Sequence, residues 1–424
     1  MSSTKKTYDY NELINSKKYE HGGNLFNSAK GGNQNAHDIL NIFNEAKKKI
    51  DFSANINPLG LSKNALCILK NIKLVKFLIE NYPEVYPERL TDKLSDYHHV
   101  QSNNIIIGNG ATNLVYKILS ILKPENVLIA EPSFSEYERA CSVLGINTLH
   151  QCTFLKDGFK LINNTLAEFI DKIKNLNERD FIFIASPSNP AGIITPLNTI
   201  REILKICKKK NLYLILDESF MDFKEECSSK YLIEEFENLI VLRSMTKFFA
   251  IPGERVGYIL SCKKNISKIT KTVAPWRIGG LASALAVASL SDKEYITDSV
   301  KYINKSKEEM FNAIIKFKTF EIIRGEANFL LIRIKSAEHH ECESIPATAF
   351  TPAASSAFTT ASASAPACSA LNIKDYLFDK GILVRYAGNY RCLDDSFFRI
   401  AVKKRKENKI LANELKKYII KLKD

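Results

Sequence analysis

The chain has 424 residues, 45% of them hydrophobic and 25% charged, enough for two cores and typical of a globular protein. Its formal net charge is +13, but the lysines are spread along the chain among Glu, Asp and Asn, and the one dense run is Lys403-Lys404-Arg405-Lys406. With no reading helix or aromatic platform beside that run, the charge argues against a nucleic-acid partner and suits steering of anionic substrates.

Residues 1–60 are rich in Gly and Asn and read as an extended arm. Short apolar, β-branched runs at 127–130, 181–185, 212–216, 239–243 and 256–261 read as buried strands. Helical patterns at 111–122, 135–144 and 197–210 lie between them. Strands alternating with helices of that length predict a mostly parallel sheet covered on both faces, with ligands at the carboxyl ends of its strands. The expected large unit spans 61–285.

Beyond 285 the texture changes to a smaller α+β unit, 286–424. It holds a long helical pattern at 293–317, strands at 328–334, 382–385 and 397–402, and a closing helix at 407–423. Segment 336–370 is rich in Ala, Ser, Thr and Pro and has too few apolar groups to offset its ordering entropy, so it reads as a disordered insertion. Its His339-His340-Glu341-Cys342 start is a poor metal site in so loose a context, and no metal is expected.

No apolar run reaches the ~18 residues a membrane span needs, and the polar start lacks a secretory signal. A cytoplasmic protein without membrane contact is expected. The nine cysteines are scattered, odd in number and without a CxxC pair, which predicts reduced thiols.

Chemistry-bearing residues collect at the strand ends. Ser244-Met245-Thr246-Lys247 follows one apolar run, and Arg255 comes eight residues after the lysine. Two hydroxyls and a guanidinium suit a phosphate. A neighbouring cation also favours the free amine that condensation with a carbonyl requires. The preceding strand ends in Asp217, suited to pair with a protonated pyridine nitrogen. The strand before that runs into Ser186-Pro187-Ser188-Asn189-Pro190, whose Asn189 amide suits a ring oxygen. Gly108-Asn109-Gly110-Ala111-Thr112 opens a helix whose N-terminus can take a phosphate, and Phe134 can stack on a flat ring.

In that order and spacing the set resembles the fold-type-I pyridoxal-phosphate (PLP) enzymes, most closely over 244–258. His21-Gly22-Gly23-Asn24, Asp51–Gly60, Tyr82-Pro83-Glu84, Asp217–Phe223, Ala274-Pro275-Trp276 and 381–402 are similar to the L-threonine-O-3-phosphate decarboxylases of cobalamin biosynthesis. The histidinol-phosphate aminotransferases are a close second. Tyr386-Ala387-Gly388 and Lys403 depart from the pattern. Phe220 stands where many aminotransferases carry Tyr, which favours the decarboxylase branch.

The resemblance implies an α/β, fold-type-I PLP-dependent enzyme, with a mostly parallel sheet in a large domain and a smaller α+β C-terminal domain. Its cofactor would be pyridoxal 5'-phosphate on Lys247, with Asp217 at the ring nitrogen, Asn189 at the phenolic oxygen and Phe134 against the ring. The cofactor phosphate would lie among Ala111, Thr112, Ser244, Thr246 and Arg255. Tyr82 would reach it from a neighbouring subunit, which implies a homodimer. His21, Asn55 and Arg385 would receive the phosphate of a small phosphorylated amino-acid substrate, and Arg399 its carboxylate. The implied reaction converts L-threonine O-3-phosphate to (R)-1-amino-2-propanol O-2-phosphate. The alternative is an aminotransferase of the histidinol-phosphate type.

Overall fold

The computed structural model describes Asn44, residues 46–335 and residues 369–422. Strand β1, Ile50–Asp51, precedes a helical stretch comprising Lys63–Lys70, Ile72–Glu80 and Glu88–His98. Seven strands follow: β2 Ile105–Gly108, β3 Asn126–Glu131, β4 Asn147–Cys152, β5 Phe181–Ala185, β6 Tyr213–Asp217, β7 Leu239–Ser244 and β8 Gly257–Ser261. They form one sheet in the order β2-β8-β7-β6-β5-β3-β4.

The five strands from β7 through β4 are parallel, while β8 pairs antiparallel with both β7 and β2. The run at 256–261 is thus an antiparallel member, reached from β7 without a helical crossover. The helices packed on the sheet show why their sequences fold so. Leu197–Lys210 buries Ile200, Ile203, Leu204 and Cys207, and Ala111–Leu122 buries Leu114, Val115, Ile118 and Leu119. Both are the spacing of a single apolar stripe on a helix. Strands β5 and β7 are buried throughout, as expected for strands covered on both faces.

After helices Gly280–Leu290 and Lys293–Ile314 comes a second sheet. In chain order come β9 Phe320–Ile323, β10 Phe329–Ile334, helix Ala370–Asp379, β11 Ile382–Leu383, β12 Arg385–Tyr386 and β13 Phe397–Ala401, with β11 outside the sheet. Helix Arg405–Lys421 closes the described chain. The order is β12-β13-β10-β9, all antiparallel. The expected single strand at 382–385 is two pieces, because Ile382–Leu383 pairs parallel with β1 while Arg385 turns to β13. The segment read as an insertion, 336–370, lies outside the described residues except Ser369 and Ala370. Ser369 caps the helix that Ala370 opens, its side chain accepting from the Asn372 amide.

The expectation of wholly reduced thiols is corrected. Cys152, at the end of β4, and Cys392, in the loop before β13, form a disulfide with their Cα atoms 6.0 Å apart. They are 240 residues apart in sequence, so only the packing of that loop on the sheet edge reveals the pair. Cys342 and Cys368 lie outside the described residues. No described helix is long and apolar enough to cross a membrane.

Candidate active site

Three adjacent parallel strands deliver three of the anticipated groups to one edge of the sheet. Ala185 of β5 is in register with Asp217 of β6, and Asp217 with Leu242 of β7. The carboxyl ends of these strands therefore lie side by side. Asn189, Asp217 and Lys247 emerge there, at the position where open α/β sheets bind ligands.

Asp217 is buried and held at both oxygens. Its Oδ1 accepts from the Ser219 amide at 2.8 Å, and its Oδ2 accepts from the Tyr137 hydroxyl. Tyr137 was not anticipated from sequence. Its ring is stacked on Phe183 of β5 at 4.8 Å, and only the folded sheet shows that its hydroxyl meets the acid of β6. Phe134 packs edge-on against Tyr137 at 5.8 Å and is half-buried.

Lys247 points its amine to the Ser244 hydroxyl at 3.5 Å and over the Phe220 ring at 5.7 Å. Burial pushes that amine down to about 8. Asp217 opposes the fall, and the Arg255 and Arg399 guanidiniums add to it. A half-buried amine whose pKa is drawn toward neutrality is suited to nucleophilic attack. Ser244 and Thr246 are buried, with their hydroxyls 2.7 Å apart.

Behind this edge sits a buried ionic hub. Arg243, fully buried, donates to Glu218 at 2.9 Å, to Asp222 at 3.2 Å and to Glu225. Glu225 also meets Lys230 at 2.6 Å. His98 donates or accepts at the Tyr258 hydroxyl at 2.6 Å, and burial holds its ring down to about 3. Arg243 and Glu218 are the chain neighbours of Ser244 and Asp217, so the hub anchors both strand ends from the other side.

The residues anticipated around a phosphate also lie close to one another. Gly110, at φ 84°, leads into Ala111–Leu122 with no side-chain cap on that helix start. A Cβ on Gly110 would lie 2.8 Å from Arg255 Nη2, and one on Gly257 only 2.3 Å from the Ala111 nitrogen. Backbone and guanidinium are therefore drawn against the helix start, beside half-buried Ala111 and Thr112. A helix N-terminus without a side-chain cap, with an arginine and two hydroxyls nearby, suits an anion.

The second sheet supplies the opposite wall. Arg399 on β13 donates to the Asn189 Oδ1 and, at 2.8 Å, to the Ser53 carbonyl, and lies 5.1 Å over the Phe329 ring. Burial lowers its pKa, and its Nε has no hydrogen-bond partner among the described residues. Arg385 faces it across β12 and β13 and stands over the Tyr390 ring at 5.0 Å. Asn55 is buried, and its Oδ1 has no hydrogen-bond partner among the described residues. Tyr390, also not anticipated, donates to the Asn189 Oδ1 at 3.2 Å. Tyr82 stands apart, 87% exposed, with its ring 5.5 Å from that of Trp276. His21 lies outside the described residues.

With this geometry in hand, comparison is decisive on family. Residues 47–415 match the family "Aminotransferase class I and II". The chain belongs to that family. It is 28% identical to the threonine-phosphate decarboxylase of Salmonella typhimurium, over 92% of this chain and 97% of that one. It is 32% identical to an adenosylcobalamin biosynthesis bifunctional protein of Leptospira interrogans, over 74% of this chain and 34% of that protein. Among solved structures, the histidinol-phosphate aminotransferase of Clostridium acetobutylicum superposes with a TM-score of 0.71. It is 29% identical, and the match covers 87% of this chain and 98% of that one. The fold is that of the fold-type-I PLP enzymes, and pyridoxal 5'-phosphate is the family's cofactor. The residues present fit it: a desolvated lysine, a buried acid, an amide and a phosphate cradle share one strand-end cleft.

Proposed function

We propose that the protein decarboxylates L-threonine O-3-phosphate, giving CO₂ and (R)-1-amino-2-propanol O-2-phosphate for cobalamin biosynthesis. The observation that carries this reading is the pair Arg385 and Arg399, opposed in register on neighbouring strands, with Arg399 near enough to Lys247 to help depress its pKa. Two guanidiniums suit a small substrate with an anion at each end. The full-length similarity to a threonine-phosphate decarboxylase supports the choice of that substrate.

In this reading Lys247 holds the cofactor, Asp217 its ring nitrogen, Asn189 its phenolic oxygen and Phe134 its ring face. Ala111, Thr112, Ser244, Thr246 and Arg255 hold its phosphate. Bound PLP withdraws electrons from whichever Cα bond stands perpendicular to its ring. The chain decides which bond that is. Arg399 takes the substrate carboxylate, while Arg385 and Asn55, joined by His21, take the phosphate, so the clamp sets the orientation of Cα. Once CO₂ has left, the Lys247 ammonium returns a proton to Cα. Phe220 packs against Phe329 at 5.2 Å and offers no hydroxyl to the cleft, which supports the decarboxylase over the aminotransferase branch.

The assembly proposed is a homodimer in which Tyr82 reaches the partner's cofactor phosphate. Helix Ile72–Glu80 supports this, because it buries none of its residues and leaves Ile72, Phe77 and Ile79 at 72%, 61% and 66% exposure. Three large apolar side chains left exposed on one short helix suit an interface. We also divide the chain into an arm, 1–60, a large unit, 61–285, and a small unit, 286–424. The two main sheets fall on either side of residue 285, although β1 pairs with β11. A phosphorylated metabolite as substrate supports a cytoplasmic setting.

The test is to supply the purified protein with PLP and L-threonine O-3-phosphate and measure CO₂ and the amino alcohol phosphate. Release of CO₂ without any keto acid is expected. Transfer of the amino group to a keto acid, with no CO₂, would assign the aminotransferase reaction instead.

A further inference from the structure

Asn189 presents one carboxamide to two walls of the cleft. Its Oδ1 accepts from the Tyr390 hydroxyl at 3.2 Å and from Arg399. An amide oxygen engaged on one side turns its NH₂ group to the other. The same Tyr390 ring lies 5.0 Å beneath the Arg385 guanidinium and is 91% removed from solvent, with a relative exposure of 9%. Tyr390 thus touches Asn189 with its hydroxyl and Arg385 with its ring face, and packs in one apolar cluster with Ala191, Leu331 and Phe397. It belongs to the loop between Arg385 and Arg399, and no role was anticipated for it.

We propose that Tyr390 is a positioning residue, whose hydroxyl holds the Asn189 amide toward the cofactor and whose ring seats the substrate-clamping Arg385. The inference rests on the reading of Asn189 as the partner of the cofactor's phenolic oxygen. Its physical logic is a division of labour between two donors. Arg399 has an Nε without a partner among the described residues and is the group assigned to the substrate carboxylate. When Arg399 turns to that carboxylate, its bond to Asn189 weakens. Tyr390 has no such competing task, so its bond keeps the Asn189 NH₂ aimed into the cleft while substrate is bound. The cluster of Ala191, Leu331 and Phe397 fixes the ring, and the ring fixes the hydroxyl.

Tyr390→Phe separates the two roles, since it removes the hydroxyl and keeps the ring. An amide donating to an ionised oxygen lowers that oxygen's pKa. The holoenzyme's visible absorbance should therefore titrate with a midpoint roughly half a pH unit higher in Tyr390→Phe. The value of kcat should fall several-fold, with KM for threonine phosphate nearly unchanged. Tyr390→Leu should add a rise in KM, because Arg385 loses its seat. In an Asn189→Ala background, Tyr390→Phe should cause no further spectral shift.

In the cofactor-free protein carrying ¹⁵N-asparagine, the Asn189 side-chain amide signals should move in Tyr390→Phe. An unmoved amide signal would overturn the inference. A moved amide signal with an unmoved absorbance midpoint would uphold the bond and overturn its action on the cofactor. A spectral shift of equal size in the Asn189→Ala background would also overturn it, by showing that the hydroxyl acts elsewhere. Failure of CO₂ release alone would count against the proposed reaction and not against this bond.

Discussion

Arg385 and Arg399 stand directly opposite one another on the antiparallel strands β12 and β13. Opposed residues share one face of a sheet, with Cβ atoms about 5 Å apart. Besides burial, the Arg385 charge helps lower the Arg399 pKa, Asp51 opposes it, and a substrate anion beside the two guanidiniums would offset their repulsion further. Each charge-assisted bond lost costs about 1.5–3 kcal/mol, which is roughly 10- to 150-fold in binding. Arg399→Ala should raise KM for threonine phosphate by that factor. Arg385→Ala should do the same for threonine phosphate while changing KM for unphosphorylated threonine little. Steady-state kinetics on the two substrates check both.

The Lys247 amine has an ordinary value of 10.5, and burial brings it to about 8. Only the unprotonated amine attacks a carbonyl. The rate at which added PLP develops its visible band on cofactor-free protein should rise with pH through a midpoint near 8 rather than 10.5. The sign for stability is the same. The unfolded chain binds more protons between about 8 and 10.5, so this group's contribution to stability grows as pH rises through that window and is lost as pH falls through 8. Lys247→Ala should give no such band at any pH, as stopped-flow absorbance would show.

A Cβ on Gly257 would lie 2.3 Å from the Ala111 nitrogen and 2.6 Å from the Gly110 carbonyl carbon. Neither backbone atom can swing away as a side chain would. Gly257→Ala should cost about 1–3 kcal/mol, typical of overpacking. It should also weaken PLP binding, because it pushes the helix start away from Arg255. Thermal denaturation and a cofactor titration measure the two effects separately.

Arg243 is one guanidinium shared by Glu218, Asp222 and Glu225. Removing the cation from a buried ionic group leaves negative charge uncompensated, at about 3–5 kcal/mol. Arg243→Met should lower the denaturant midpoint by that amount. Arg405→Met, at an exposed pair with Glu309, should barely move it.

The Cys152–Cys392 bond ties the edge of the seven-stranded sheet to the loop that carries Tyr390. A peptide map taken without reductant should show these two cysteines linked. Cys141 and Cys207, buried and with thiols that burial pushes up to about 12, should stay unmodified by an alkylating reagent until the chain unfolds.

Much of the fold was legible in the residues themselves. The stripe Ile200, Ile203, Leu204, Cys207 and the unbroken apolar run at 181–185 announce a helix and a covered strand without reference to anything distant. Local steric and burial preferences set those elements, so local sequence suffices to read them. The strand-end groups Asn189, Asp217 and Lys247 were legible for the same reason, since a parallel sheet must end somewhere and polar residues mark the ends.

What tertiary structure alone decided concerns contacts between residues far apart in the chain. Tyr137 meets Asp217 across 80 positions, Tyr390 meets Asn189 across 201, and Cys152 meets Cys392 across 240. No periodicity encodes such pairs, because they depend on how one sheet is set against another. The strand split between Leu383 and Arg385 belongs here too, since its cause is the arrival of Ile50 and Asp51 from the other end of the chain. The sequence determined which chemical groups the cleft would hold. The packing of the two sheets determined which of them hold one another in place.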